Sequence, residues 1–482
     1  MLRRYLKQQK KSDLVNLNVS KKFIYFEIIV MKVHLIAIGG SAMHNMAIAL
    51  HQKGIFVTGS DDEIFEPSKS RLRTLGLLPK EMGWFPDKIT TDLDAIILGM
   101  HARKDNPELI RAQELGLKIY SYPEYVYEQT KNKTRIVIGG SHGKTTITSM
   151  VLHVLNQCNI KCDYLVGAQL EGFDCMVKFS EDADVAVIEG DEYLSSPTDL
   201  RPKFHLYNPN IALLSGIAWD HINVFPTFEN YVEQFKIFLD KIQPGGALVY
   251  CEADCEVKKL AELHHGDYTK HSYSTHPHNI ENGYTFLETS SGDVAIKVFG
   301  QHNLQNLNGA RLVCNNVGVS DEKFYIAIQS FKGAARRLEL VKEGKYTLVY
   351  KDFAHSPSKL KATTAAFKQQ FPNRKLVACM ELHTYSSLNK NFLKEYQGAM
   401  AAADEAYVYY SPHTIEHKKL NPISEEQVRK AFGSDNITVF TQSEELLKRL
   451  KQRDWHGSNL LLMTSGNFDG IDFKELADDL CG

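Results

Sequence analysis

From Met31 onward the apolar positions fall into two alternating patterns. "VHLIAIGG" is a continuous apolar run closing on glycine, "SAMHNMAIALHQKG" carries helical spacing, and "IFVTGSD" is apolar and extended again. "DAIILGM" and "KIYSYP" continue the alternation. Strands without internal polar alternation are buried on both faces, and helices between them are the crossovers of a parallel sheet. A polar stretch from Tyr127 to Thr134 then interrupts the pattern and reads as a linker. A second block opens with "RIVIGGSHGKTTITSMVLHVLNQ" and runs through "VAVIEGDE", "IALLSGIAWDH", the helix "YVEQFKIFLDKI" and the strand "ALVYC". "YTFLETSSGDVAIKVFG" alternates as an antiparallel excursion would, and a helix from His302 to about Val317 closes the block. After a boundary within residues 320–333, a third block places strands at "TLVYKDFA", "KLVACMEL", "EAYVYY", "ITVF" and "NLLLMT". The predicted fold is α/β in three domains: a Rossmann-like N-terminal domain (31–130), a phosphate-loop ATPase-type central domain (131–325) and a Rossmann-like C-terminal domain (326–482).

The chain has 482 residues, which at roughly 150 per domain agrees with three. Its 56 basic and 58 acidic side chains leave a formal charge of −2, against a dedicated nucleic-acid binder. No run approaches the roughly 20 apolar residues of a membrane span. Eight cysteines are too few for a disulfide scaffold. Cys158/Cys162 and Cys251/Cys255 lack the second pair of a zinc site, so they read as buried thiols of a protein in a reducing cytoplasm. Residues 1–30 are basic, and their one apolar stretch, Phe23 to Val30, is short and holds Glu27. The expectation there is a disordered extension before Met31, not a secretory signal.

The strongest chemical signal is Gly140-Ser141-His142-Gly143-Lys144-Thr145-Thr146, entered by a strand and left by a helix. Glycines let backbone N–H groups approach phosphate oxygens, and the helix N-terminus adds its free donors and positive dipole end. Lys144 is placed to reach the β/γ-phosphates of ATP and the Thr145 hydroxyl to ligate Mg²⁺. The loop is shorter than the standard form, with Ile138 six residues before Lys144. Glu189 in "VAVIEGDEY" and Asp220-His221 in "IALLSGIAWDH" end buried strands, where parallel sheets bind ligands, and could hold Mg²⁺ beside the γ-phosphate.

These residues, followed by "GQHNLQN" (Gly300 to Asn306), "GAARRLE" (Gly333 to Glu339) and "DFAHSP" (Asp352 to Pro357), resemble the motif series of the Mur ligases in its order, from Met31 to the C-terminus. The resemblance implies ATP-dependent amide formation in peptidoglycan assembly. It gives Lys144, Glu189, His221 and Arg337 catalytic parts, with Thr145, Glu189 and His221 on the metal. It puts Asn303 and Asn306 near the adenine, Arg337 on the γ-phosphate and Asp352 by the ribose. The first domain resembles the branch that acts on UDP-N-acetylmuramate (UDP-MurNAc). Gly39, Gly40, Ser41 and Met43 would then lie on the diphosphate, Ser60 and Asp61 on the uridine side, and "HARKDNPE", with His101 and Asn106, would form a second substrate loop. His355 is assigned to the substrate as well. Within that branch "EGDEYLSSPTDLRPKFHLYNP" is similar to enzymes that reattach the recycled tripeptide L-Ala-γ-D-Glu-meso-diaminopimelate. The alternatives are an L-alanine-adding ligase or a non-catalytic ATP-binding regulator. No protein partner is implied. The chain departs from the family at Ala42, Gly216 and Asn223, and "ELHTYSSLN" (Glu381 to Asn389) lacks an arginine usual there. Lys236 stands near where some members carry a carbamylated lysine, and otherwise reads as a helix-surface lysine.

Overall fold

The computed structural model describes residues 31–167, 172–219, 224–333, 338–433 and 436–482. The extension 1–30, the DHIN segment with His221, and Arg337 lie outside the described residues.

The first sheet is wholly parallel. Its strands β1 (Lys32–Ile36), β2 (Phe56–Ser60), β3 (Ala95–Leu98) and β4 (Ile119–Ser121) stand in the order β2-β1-β3-β4. Helices α1 (Ser41–Gln52), α2 (Ser68–Thr74), α3 (Pro107–Glu114) and α4 (Tyr122–Thr130) accompany it. The second sheet takes β5 (Thr134–Gly139), β6 (Cys162–Leu165), β7 (Val177–Lys178), β8 (Val185–Glu189), β9 (Ile211–Leu214), β10 (Gly246–Cys251) and β11 (Tyr268–Tyr273). Their order β11-β10-β9-β5-β8-β6-β7 puts β5, the strand of the phosphate loop, in the middle. Helices α5 (Lys144–Gln157), α6 (Phe228–Leu239) and α7 (Cys255–Leu263) follow β5, β9 and β10 in the chain.

The antiparallel excursion is a three-stranded sheet of β12 (His278–Glu281), β13 (Tyr284–Thr289) and β14 (Gly292–Ile296). Helix α8 (Gln301–Asn315) follows it, and α9 (Asp321–Ile328) packs on α5 and α8, so the expected 325/326 boundary runs through one helix. The third domain's sheet holds β15 (Glu339–Glu343), β16 (Leu348–Asp352), β17 (Lys375–Glu381), β18 (Glu405–Tyr409), β19 (Ile437–Phe440) and β20 (Ser458–Met463). Its order is β15-β16-β20-β17-β18-β19, antiparallel only at the β15 edge. Helix α10 (Pro357–Gln370) follows β16.

The polar stretch read as a linker is largely helical. Ser121 and Glu124 form a capping box that starts α4, and the helix runs to Thr130 before a turn enters β5 at Thr134. Its apolar face, with Tyr122, Tyr125 and Val126, joins one core that also holds Phe204 and Tyr207 of the central domain. Arg135 ties the crossing down. It is 3% exposed, and its Nε donates to the carbonyls of Tyr207 and Asn208. Its Nη1 donates to those of Thr130, Lys131 and Lys133. The first two domains therefore share a core.

The third domain docks more locally. The Phe299 ring, which precedes α8, meets Tyr350, Phe367 and Phe371 edge-on and belongs to the third domain's core. Gln370 at the end of α10 accepts from the Thr285 hydroxyl (2.9 Å) and donates to the Gly283 carbonyl (2.7 Å). A Cβ on Gly300 would stand 2.7 Å from that of Ala366, which shows how closely α8 and α10 approach.

Candidate active site

Strand β5 ends at Gly139, and Gly140 (φ 125°) and Gly143 (φ 80°) turn the chain into α5 through conformations that favour glycine. A Cβ on Gly143 would collide with the Asn306 amide oxygen, so α8 approaches the loop as closely as glycine permits. The turn is pinned to the segment after β9: Ser141 N donates to the Gly216 carbonyl (2.9 Å), Ala218 N to Ser141 Oγ (2.8 Å), and the Ser215 hydroxyl to the His142 carbonyl.

Lys144 Nζ bends back to the Gly140 carbonyl (2.7 Å) and to Glu192 Oε2 (2.6 Å). Burial alone would lower its pKa, but the carboxylates of Glu192, Asp191 and Glu189 outweigh burial and raise it, so the ammonium stays charged. The Thr145 hydroxyl donates to Glu189 Oε1 (2.8 Å), and Gly167 N donates to Oε2 (3.0 Å). Burial pushes the Glu189 carboxyl up from its ordinary range against those two donors and Lys144. Asp191, two residues on, is half-exposed; desolvation would raise its carboxyl, yet the Lys203 ammonium at 2.5 Å holds it down.

Lys144, Thr145 and Glu189 face a cavity of about 600 Å³ between the second and third domains. Ser141, His142, Gly143, Lys144, Thr145, Thr146, Glu189, Asn303, Asn306 and Asp352 all line it, whereas Gly140 does not. Sequence reasoning gave no part to Ser215, Asp254, His302, or Ser358 and Lys359 of α10, which line it too. It also passed over Glu192 inside the quoted "EGDEY", although an acidic residue three positions from Glu189 was signal enough. Asp352 spends both carboxylate oxygens on backbone, accepting from Leu338 N (2.6 Å) and Ala354 N (2.7 Å). Gly216 stands where the resemblance to the Mur ligases implies an asparagine, and Asp254 Oδ2 lies 3.3 Å from where its Cβ would be. Asp254 fills that space from α7, receiving Ile217 N at 3.1 Å.

The first-domain positions do not line this cavity. Gly39 N donates to Asp61 Oδ2 (2.7 Å), the Ser60 carbonyl receives Ala37 N and Ile38 N, and His101 lies beside Gly40. Burial raises the Asp61 carboxyl to about 6, against the Gly39 N–H and helped by Asp62. Ser41 is exposed and Met43 is buried in the core. Asn106 is the N-cap of α3, its Oδ1 receiving Glu108 N and Leu109 N. His355 also lies outside the cavity, its Nδ1–H donating to the Phe353 carbonyl. Lys236 is half-exposed on α6 and pairs with Glu233. Of the thiols read as buried, Cys255 is exposed and Cys158 and Cys162 are half-buried, because the first opens α7, the second caps the end of α5 and the third opens β6 next to the sheet edge.

A hard divalent cation suits the oxygen donors Glu189 and Thr145. Among the described residues no group of three His, Cys, Asp or Glu side chains is disposed to hold a metal unaided, and none has a helix long and apolar enough to cross a membrane.

The chain matches the Mur ligase family, catalytic domain, over residues 32–134, the Mur ligase middle domain over 138–314, and the Mur ligase, glutamate ligase domain over 336–466. It is 31% identical over 392 residues to a UDP-N-acetylmuramate--L-alanine ligase of Caldicellulosiruptor bescii, covering 78% of this chain and 83% of that one. It is 26% identical over 460 residues to the UDP-N-acetylmuramate--L-alanyl-gamma-D-glutamyl-meso-2,6-diaminoheptandioate ligase of Escherichia coli, covering 92% and 98%. The crystal structure of the UDP-N-acetylmuramate-alanine ligase of Thermotoga maritima shares the fold, with a TM-score of 0.64 at 21% identity over 93% of this chain and 98% of that one. The chain belongs to the Mur ligase family, ATP-dependent enzymes that form amide bonds.

Proposed function

We propose that the protein joins the carboxylate of UDP-MurNAc to the amine of the tripeptide L-Ala-γ-D-Glu-meso-diaminopimelate, in the cytoplasm, for peptidoglycan recycling. The observation that carries the reading is the cavity at which the phosphate loop, Glu189, Asn303, Asn306 and the third domain's Asp352 and α10 converge. The carboxylate oxygen attacks the γ-phosphorus of ATP, the bond to the β-phosphate oxygen breaks to release ADP and an acyl phosphate forms; the amine then attacks the acyl carbon, losing a proton and displacing phosphate to form the amide. The loop N–H groups and Lys144 would hold the phosphates and stabilise charge as it builds on the transferring group. Glu189 and Thr145, with His221, would hold Mg²⁺, which would neutralise phosphate charge. Asn303 and Asn306 would face the base and Asp352 the ribose, with Arg337 completing the charge at the γ-phosphate. Gly39, Gly40, Ser41 and Met43 are proposed for the diphosphate, Ser60 and Asp61 for the uridine, and His101, Asn106 and His355 for the rest of the substrates. Cavity walls from two domains would keep water from the acyl phosphate while they stay together.

The tripeptide rests on the "EGDEYLSSPTDLRPKFHLYNP" pattern. A second reading, L-alanine as the amine, is favoured by the name of the relative at 31% identity. Phosphate release from ATP with UDP-MurNAc and Mg²⁺, in parallel reactions with tripeptide and with L-alanine, separates them. Release only with L-alanine overturns the tripeptide, and release with neither amine overturns both.

A further inference from the structure

One buried carboxylate at the site has no part in the chemistry above. Glu192 is 1% exposed and does not line the cavity, whereas Lys144, which it touches, does. Its Oε2 receives Lys144 Nζ at 2.6 Å and its Oε1 receives the Tyr231 hydroxyl at 3.2 Å. The Tyr231 oxygen lies 2.9 Å from Ser141 Oγ, so Glu192 reaches the phosphate loop directly at Lys144 and through Tyr231 at Ser141. Lys144 gives another of its three N–H donors to the Gly140 carbonyl. The ammonium is thus folded back over its own loop, against a carboxylate whose burial demands a counter-charge.

We infer that Glu192 is a positioning residue: its carboxylate holds the Lys144 ammonium in a resting position from which the phosphates of the nucleotide must take it. The inference rests on the cavity being the nucleotide site. Two effects act in the same direction. The ion pair must loosen before Lys144 can turn toward a phosphate, and the Glu192 charge then remains beside the incoming anion in a poorly solvated place, where repulsion is strong. Glu192 therefore weakens nucleotide binding and speeds its departure. A group that only braced the loop would do the opposite, and its removal would cost affinity.

Glu192→Gln keeps the shape and leaves the Tyr231 hydroxyl an acceptor while removing the charge. ADP with Mg²⁺ titrated calorimetrically into the full-length protein at pH 7.5 should bind about three- to tenfold more tightly to E192Q than to wild type. The KM for ATP should fall in the same direction. Glu192→Asp, which draws the charge back by one methylene, should fall between the two, and it carries the test if E192Q does not fold by circular dichroism. Equal or weaker ADP binding by the folded variant overturns the inference and leaves the nucleotide site standing. Failure of the wild-type protein to bind ADP overturns both.

Discussion

Replacing Phe299 with alanine tests how the third domain is held. The ring is 3% exposed, and its centroid lies 5.7, 5.9 and 5.8 Å from those of Tyr350, Phe367 and Phe371. Truncating a core phenylalanine costs about 3–5 kcal/mol through lost transfer energy and the cavity left behind. What remains nearby is the Gln370 pair of hydrogen bonds to Thr285 and Gly283, each worth about 1 kcal/mol net. The loss therefore exceeds those remaining bonds, and it falls on docking because the ring comes from the chain before α8 while its neighbours belong to the third domain. At about 2–4 °C per kcal/mol for a domain of this size, the third domain should melt roughly 6–20 °C lower and as a separate calorimetric transition. Asp352, Ser358 and Lys359 reach the cavity from that domain, so phosphate release should fall by about tenfold or more, the effect of misplacing groups on which positioning depends. ADP binding to the phosphate loop should change little. A single transition within about 2 °C of wild type, with turnover intact, would refute the reasoning.

Three further outcomes follow from the geometry. Gly143→Ala should lose at least about 1–2 kcal/mol of stability from its left-handed backbone, plus most ADP binding, because the new Cβ meets Asn306; Gly54→Ala, with open space around φ 88°, should pay the backbone cost alone, and calorimetry compares the two. Asp61 carries a folded pKa of about 6 against 3.8, so the folded state binds that proton more tightly and stability should decline as pH rises from about 4 to 6, then level off. Asp61→Asn should remove that slope and gain about 1–2 kcal/mol at pH 7.5, roughly half of what two units would give because nearby solvent screens part of the cost; urea melts at pH 5 and 7.5 that show no gain refute this. Arg135→Met leaves five carbonyls short of a donor and should cost about 3–5 kcal/mol in urea unfolding, with a loss under 1 kcal/mol refuting the account.

Buried strands were the legible part of this fold. β1, β3, β5, β8, β9, β16, β17, β18 and β20 are continuous apolar runs, and the glycines and Lys144 after β5 announce a phosphate site. The strands that escaped notice are β6, β7, β11, β12 and β15, at or next to sheet edges with at least one face wet. "ELVKE" and "HNIE" show no buried run because edge strands bury little, and only pairing with a neighbour reveals them. Helix α4 was hidden by its polar last turns, although its capping box was written at Ser121 and Glu124. Local spacing could not show that α10, which starts about forty residues past the end of α8, brings Ser358 and Lys359 to the cavity beside the phosphate loop. Nor could it show that Asn106 is spent as a cap.

The shared core of the first two domains has a consequence for synthesis on the ribosome. The first sheet is complete once Ser121 has emerged, but α4 presents Tyr122, Tyr125 and Val126 to a core whose other members include Phe204 and Tyr207. At 5–20 residues per second, the roughly 80 residues between them take about 4–16 s to appear. During that interval the part of α4 that meets the central domain, Tyr122 above all, stays uncovered, the kind of surface that chaperones bind and that drives aggregation. A fragment ending near residue 130 would keep that surface exposed for good, so the first domain should be produced together with the second.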